Sequence, residues 1–593
     1  MTHLRNGFTG SDVVTSRPVD GSVDGPGKRR RAIGRAAVAL AIACPAGAAA
    51  QAPEAPPRLV LQITVDQLRG DLPLRYYDRF VEGGFRYLME HGTVYGDAHH
   101  AHANTETIVG HTTLATGAHP AAHGMIGNLW FDYESGHTTY NIEDSRYRLV
   151  SEGADVDAET EIDPTQRAAR SEGRSPAAIM VSTFSDELAI STAGRARVFG
   201  VSVKDRGAVS MAGHAGKAFW FSKATGEFVS STYYYDAYPE WVNEWNARRL
   251  PFTYGDTQWT LRDDRSTYLF GDADDRPWET DLAGFGRTFP HDFGPADGRY
   301  FTTLLTTSSA GDAITLDFAK TLLTAEDLGQ DEIPDYLSIS FSSTDYVGHL
   351  FGPSSLESEE NILHLDRLLA ELFAFVDEHV GLDQTLIVLS ADHGGPEAPG
   401  HLAELGVPAG YVTPDEWDRE PAIARLKERF GVGEELIAAY DHPYVYLNRT
   451  VMADGRLDPA EVERAIADEL VKFPGVALAV PSTALREGRV FEMPLTRAIM
   501  NNFSPTRSGN IFIVFEPQWF INDFDGLTVA STHGSPWRYD TFVPLMFAGP
   551  NVPARTVYRR VHTIDLAPTL ALYTGTSIPS GAAGTPLIEV LAG

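Results

Sequence analysis

At 593 residues, 43% of them hydrophobic and 10% aromatic, the chain has the make-up of a globular protein and the length for more than one domain, or for one large core with insertions. Its net charge of −32 creates a field that repels nucleic-acid duplexes and anionic lipid at long range. A single cysteine, Cys44, rules out disulfides within the chain and, if the N-terminus is processed, also thiolate metal ligands, thiol catalysis and a sulfatase nucleophile matured from cysteine.

The N-terminus reads as a secretory signal. Basic residues (Lys28–Arg31, Arg35) precede an apolar run (Ala36–Cys44), and Pro45 and the small residues Gly47–Ala50 follow. Residues 1–50 are therefore expected to be a signal peptide with an N-terminal extension, cleaved near Ala50 or Ala52, with the product periplasmic or secreted. Removing their seven basic and three acidic side chains leaves a net charge near −36. No later run approaches the ~20 apolar residues of a membrane helix, so no transmembrane anchor is expected.

Arg58–Val65 is an apolar, β-branched run ending in Asp66, the pattern of a buried parallel strand with a carboxylate at its C-terminal tip. Tyr76–Gly92 reads as a helix. His99, His100 and His102 then crowd ahead of Thr107-Ile-Val-Gly110-His111, and a short helix from Thr107 is stopped by Gly117. A hydroxyl at such a helix start meets free N–H groups and the positive end of the dipole, which suits a nucleophile that attacks and then carries a phosphate. The three histidines receive no role beyond a surface position or a place behind the site. Asn128 follows in a glycine-punctuated loop. Pro176–Ala193 reads as a helix and Ala196–Val203 as a strand, whose alternation puts Lys204 and Arg206 on one face. Taken alone, that pair is an exposed basic couple.

From 207 to 300 the composition turns aromatic and acidic (Tyr233–Tyr238, Trp241, Trp245, Gly271–Trp278), which suggests an inserted cap. Its aspartates suit either calcium or a solvated acidic turn, and their spacing is not that of an EF-hand. The core pattern resumes with Tyr336–Phe341 as a strand. Asp345 and His349 follow, four apart and on one face if the turn is helical, a spacing suited to a single metal. A long amphipathic helix, Leu356–Val380, leads to the strand Thr385–Ser390, which ends in Asp392-His393. Residues 401–530 read as a second insertion containing strands Pro443–Leu447 and Asn510–Phe515. His533, strand Phe542–Phe547 and helix Thr563–Tyr573 complete the chain. The expected organisation is 51–206, 301–400 and 531–593 as α/β core, with 207–300 and 401–530 inserted.

Acidic and imidazole residues thus recur at the same edge of one predicted sheet, and without thiolates they suit zinc. The set Asp66, Thr107-x-x-Gly-His, Asp345-x-x-x-His349, Asp392-His393 and His533-Gly resembles the alkaline phosphatase superfamily. Within it, the set is most like the phosphate-irrepressible branch with a threonine nucleophile, related to type I phosphodiesterase/nucleotide pyrophosphatases. Val109 stands where relatives often carry proline, which removes no functional group. The resemblance implies an α/β/α sandwich with a mostly parallel central sheet and inserted caps. It implies two zinc ions, one on Asp345, His349 and His533, the other on Asp66, Asp392, His393 and the Thr107 oxygen. Asn128, Lys204 and Arg206 would hold the phosphoryl group, and the substrates would be small phosphate monoesters. The other readings are a nucleotide pyrophosphatase or phosphodiesterase on this fold, or an exported zinc- or carbohydrate-binding protein without turnover. A monomer is the expected state, and calcium in the cap stays open.

Overall fold

The seven residues Leu59–Val65 (β1) are all buried, because both faces of this strand are covered and both edges are paired. In the computed structural model, which describes residues 56–433, 435–524 and 526–591, β1 is central to a large mixed sheet. The expected signal segment lies outside the described residues.

The sheet's other strands are Thr93–His99 (β2), Val198–Ser202 (β3), Lys217–Ser222 (β4), Glu227–Val229 (β5), Asp335–Phe341 (β6) and Thr385–Ser390 (β7). A separate four-stranded antiparallel sheet follows, built from Ile437–Asp441 (β8), Tyr444–Leu447 (β9), Val476–Pro481 (β10) and Ile511–Phe515 (β11). The chain then returns to the large sheet with Phe542–Ala548 (β12), Arg555–Val557 (β13) and Val561–His562 (β14). Strand order is β13-β2-β12-β7-β1-β6-β3-β4-β5, with β14 also on β2. The run β7-β1-β6-β3-β4 is parallel throughout. β12 opposes both of its neighbours, β7 and β2, so β12 begins at the edge where β7 and β2 end.

Period-two alternation sends β1 side chains to two helical layers. Leu59, Leu61, Ile63 and Val65 pack with helices Phe85–His91 (α1), Ser309–Ala325 (α5) and Leu356–His379 (α7). Val60 packs on the opposite side, with Thr107–Thr116 (α2), Phe184–Ser191 (α3) and Leu566–Thr574 (α9). The expected α/β/α sandwich is the observed architecture. The remaining labelled helices are Asp205–Ala212 (α4), Ser343–Phe351 (α6) and Pro459–Leu470 (α8). The last of these packs on the second sheet through Val462, Ile466 and Leu470.

Three expectations shift. The helix expected over Tyr76–Gly92 is split, with only α1 and short turns at Leu72–Arg75 and Tyr77–Arg79. The helix expected from Pro176 begins at Phe184, because Thr183 and Asp186 close a reciprocal capping box ahead of it. The central sheet continues past 206 with β4 and β5, two strands that fall within the stretch 207–300 expected as a cap. No helix among the described residues is long and apolar enough to cross a membrane.

Candidate active site

Four parallel strands deliver their polar residues to one edge, as open α/β sheets do. Asp66 follows β1 and extends its ladder, its N–H donating to Phe341 O at 2.9 Å. Asp345 and His349 lie one turn apart on α6, just past β6. Asp392 and His393 follow β7, and His533 arrives at the same edge ahead of the antiparallel β12.

These residues meet. His349 Nε2 is 3.2 Å and His533 Nε2 3.4 Å from Asp345 Oδ1. His393 Nε2 is 3.4 Å from Asp392 Oδ2 and 3.6 Å from Asp66 Oδ1. Ligand atoms of Asp66, Asp392 and His393 all lie within 4.8 Å of one another, and so do those of Asp345, His393 and His533. The His393 and His533 rings stack with centroids 3.5 Å apart, so the two clusters adjoin.

The imidazole tautomers bear on what these clusters hold. Each Nδ1 faces a backbone carbonyl: His349 that of Ser531 at 2.8 Å, His533 that of Thr105 at 2.8 Å, His393 that of Gly394 at 3.0 Å. A carbonyl only accepts, so each Nδ1 carries the hydrogen and each Nε2 turns a lone pair toward carboxylates. Asp66 Oδ1, Asp345 Oδ1, Asp392 Oδ2 and His393 Nε2 are buried without a hydrogen-bond partner. Lone pairs facing lone pairs away from water call for cations between them. The arrangement fits divalent metal ions bound by oxygen and imidazole, each imidazole oriented from behind by a carbonyl.

Thr107 is the first residue of α2, and Arg206 Nη2 donates to its Oγ1 at 3.3 Å. Asn128 Oδ1 accepts from Ile108 N at 3.2 Å, capping that helix and leaving the Asn128 amino group to donate elsewhere. His111 binds Thr107 O through Nδ1 (2.9 Å) and Ser340 Oγ through Nε2 (2.9 Å), tying α2 to β6. The glycine of the Thr-x-x-Gly-His motif has a steric reason. A Cβ on Gly110 would stand 1.9 Å from the carbonyl oxygen of Asp392, so only glycine lets α2 lie against the strand end that bears Asp392 and His393.

Lys204 and Arg206 reach the same place by a route other than strand alternation. Lys204 is the N-cap of α4 and Arg206 lies in its first turn. Neither is exposed: Lys204 is 0% and Arg206 3% accessible. Lys204 Nζ contacts Asp66 Oδ2 at 2.8 Å and also pairs with Asp345 Oδ2, spanning both clusters. Burial opposes its charge, but Asp345 and Asp66 hold its pKa above the ordinary lysine value. Burial likewise opposes the Arg206 charge, and Asp163, 2.7 Å away through Oδ2, outweighs it.

Sequence reasoning missed Asp163. Asp163-Pro164 reads as a helix start, which it is, since Asp163 Oδ1 accepts from Thr165 N at 2.9 Å. Its pairing with a residue 43 positions away leaves no local trace. Glu106 was also missed: its Oε2 accepts from Asn128 N at 2.6 Å, and burial pushes its carboxyl up to about 7. Of the two positions open to the clustered histidines, the surface is excluded, with His99, His100 and His102 at most 6% accessible. His100 Nε2 lies 3.0 Å from Ala391 O, directly behind Asp392.

The site opens into a cavity of about 290 Å³. Asn128, Arg206, Asp345, His349 and His533 line it, together with Tyr440 of β8, Phe515 of β11 and Trp519.

A family profile described as type I phosphodiesterase / nucleotide pyrophosphatase matches residues 60–536. The chain is 33% identical over 540 residues to alkaline phosphatase PafA of Elizabethkingia meningoseptica, covering 90% of this chain and 94% of that one. It is 32% identical over 538 residues to alkaline phosphatase PhoV of Synechococcus elongatus, covering 90% and 93%. The crystal structure of wild-type PafA superposes with a TM-score of 0.82 at 33% identity, over 90% of this chain and 99% of that one.

Proposed function

The chain belongs to the type I phosphodiesterase/nucleotide pyrophosphatase family, and from that premise we propose that it is an exported alkaline phosphatase. In this reading it hydrolyses phosphate monoesters through a phosphothreonine on Thr107. The observation that carries it is one hydroxyl in contact with a buried guanidinium, at the start of a helix packed against Asp392, a member of one of two adjoining clusters of unsatisfied carboxylate and imidazole groups. The names of PafA and PhoV as alkaline phosphatases and the signal-like N-terminus support it.

The metal sites would be filled by two zinc ions, one held by Asp345, His349 and His533 and the other by Asp66, Asp392, His393 and Thr107. Zinc so bound lowers the pKa of a coordinated hydroxyl and neutralises charge on attacking and departing oxygens. The chain's own residues do the rest. Thr107 Oγ1 attacks phosphorus, a P–O bond forms to the threonine, and the bond to the leaving alcohol breaks. Water then attacks the phosphothreonine and releases inorganic phosphate. Arg206, held by Asp163, presents two donors to non-bridging oxygens, Lys204 a point charge, and Asn128 its amino group.

These three donors argue for monoesters. A monoester dianion offers three non-bridging oxygens, whereas a diester replaces one with an alkoxy group and leaves a buried charged donor unmatched. The rival is the phosphodiesterase named in the family description. Replacing Lys204 and Arg206 together by alanine is expected to lower kcat/KM on an aryl phosphate monoester by ~10²-fold or more, and on the matching diester far less. Equal losses on both substrates would favour the diesterase.

A further inference from the structure

Just past β1 the chain turns through a residue type that the turn does not favour. Leu68 N donates to Val65 O at 3.2 Å, closing a β-turn whose third residue, Gln67, has a φ of +63°. Glycine takes this left-handed conformation without cost, whereas a residue with a Cβ is strained in it. Such strain persists only where the surroundings fix it, and it gathers at functional sites. Gln67 follows Asp66 directly and is 5% accessible.

Its contacts reach the two neighbouring segments that carry cluster residues. The Gln67 N–H donates to Asp392 Oδ1 at 3.1 Å, and His393 N donates to the same oxygen at 3.0 Å. That oxygen is thereby engaged, and Oδ2 is left facing His393 Nε2, buried without a hydrogen-bond partner. The Gln67 side chain lies between two glycines. A Cβ on Gly348 would stand 1.8 Å from the Gln67 amide oxygen, and one on Gly395 would stand 3.2 Å from Gln67 Cγ and Cδ. Gly348 precedes His349 on α6, and Gly395 lies two residues past His393. Arg69 also holds the second of these segments, its Nη1 donating to Gly395 O at 3.2 Å. The Gln67 amide nitrogen is buried without a hydrogen-bond partner, so what the side chain supplies is its shape. Glycine could make the turn but could not fill the slot.

We propose that Gln67 is a positioning residue for the metal clusters. Its side chain is the spacer between α6 and the strand end Asp392–Gly395, and its N–H sets which oxygen of Asp392 faces the cluster. The proposal rests on the reading of those clusters as zinc sites. Sheet hydrogen bonds fix β1, β6 and β7 relative to one another, but the cluster residues lie beyond the strand ends. Ligand atoms from separate segments share an ion only if their spacing is held to a few tenths of an ångström. Gln67 touches all three segments where that spacing is set.

The test measures zinc affinity of the full chain by competition with a chromophoric chelator. The visible spectrum of the cobalt-loaded chain reports coordination geometry, and Tm of the metal-free chain reports folding. Gln67→Gly relieves the turn and empties the slot. It is expected to weaken zinc binding by ~10-fold or more and to change the cobalt spectrum, while the metal-free Tm stays near the wild-type value. Gln67→Met, of the same length without the amide, should restore both metal readouts. Gly348→Ala, which pushes Gln67 aside, should weaken zinc binding in the wild-type background and add little in Gln67→Gly. Should Gln67→Gly fail to fold, Gly348→Ala and Gln67→Met carry the test. Wild-type zinc affinity in a folded Gln67→Gly or Gly348→Ala chain, or weakened affinity in Gln67→Met, overturns the proposal. A wild-type chain that binds no zinc overturns the zinc reading and the proposal with it.

Discussion

Thr107 draws its setting from three neighbours that each do two things. Asn128 closes the helix N-terminus with its oxygen and keeps its amino group for a ligand. Arg206 touches the hydroxyl while Asp163 holds the other arm of the guanidinium. His111 pins the Thr107 carbonyl and reaches β6. None of them depends on the Thr107 side chain for its fold, so removing the hydroxyl should leave the site assembled. Thr107→Ala is expected to lower monoester turnover by ~10³-fold or more, while zinc per chain stays near the wild-type value by elemental analysis. Lost zinc accompanying lost turnover would mean that the threonine oxygen is needed to hold the metal.

At the scale of elements, the sheet edge is assembled by short connections leaving parallel strands, and α6 is the most demanding of these because it carries two cluster residues. Its start is held by α5, where Asp312 Oδ1 accepts from Ser343 N at 3.1 Å and Oδ2 is buried without a partner. Burial raises the Asp312 carboxyl to about 7. A carboxyl whose folded-state pKa is raised favours the folded state fully below its unfolded pKa, and this contribution is lost as pH rises through the folded value. The α5–α6 contact should therefore weaken between about pH 4 and pH 7. Asp312→Asn keeps the acceptor and removes the charge. It is expected to flatten the fall of Tm over that range and to stabilise the chain at pH 8, by ~4 kcal/mol at most. A Tm–pH curve identical to that of the wild type would contradict this assignment.

Across the whole molecule, what could be read in the sequence was what local pattern encodes. Apolar runs ending in Asp66 or Asp392-His393 marked strand tips, and the i, i+4 spacing of Asp345 and His349 placed them on one helical face. The Lys204–Arg206 geometry was not readable, because Val198–Val203 runs without a break signal into α4 and only the tertiary fold buries the pair. Asp163 and Glu106 act through partners 43 and 22 positions away, distances that leave no periodic mark. The burial of His100 was not readable for a related reason, since its partners Ala391 O and Thr563 Oγ1 lie far away in sequence. The extent of the sheet was hidden by composition, since the aromatic strand β4 resembles the insertion that follows it. The central claim for the molecule as a whole is that every one of these elements serves a single hydroxyl. Its most direct test is to quench the enzyme in acid during turnover of a phosphate monoester and map the phosphorylated peptide by mass spectrometry. Phosphate is expected on Thr107 and absent from Thr107→Ala; phosphate on another residue, or turnover in Thr107→Ala at the wild-type rate, would overturn the assignment.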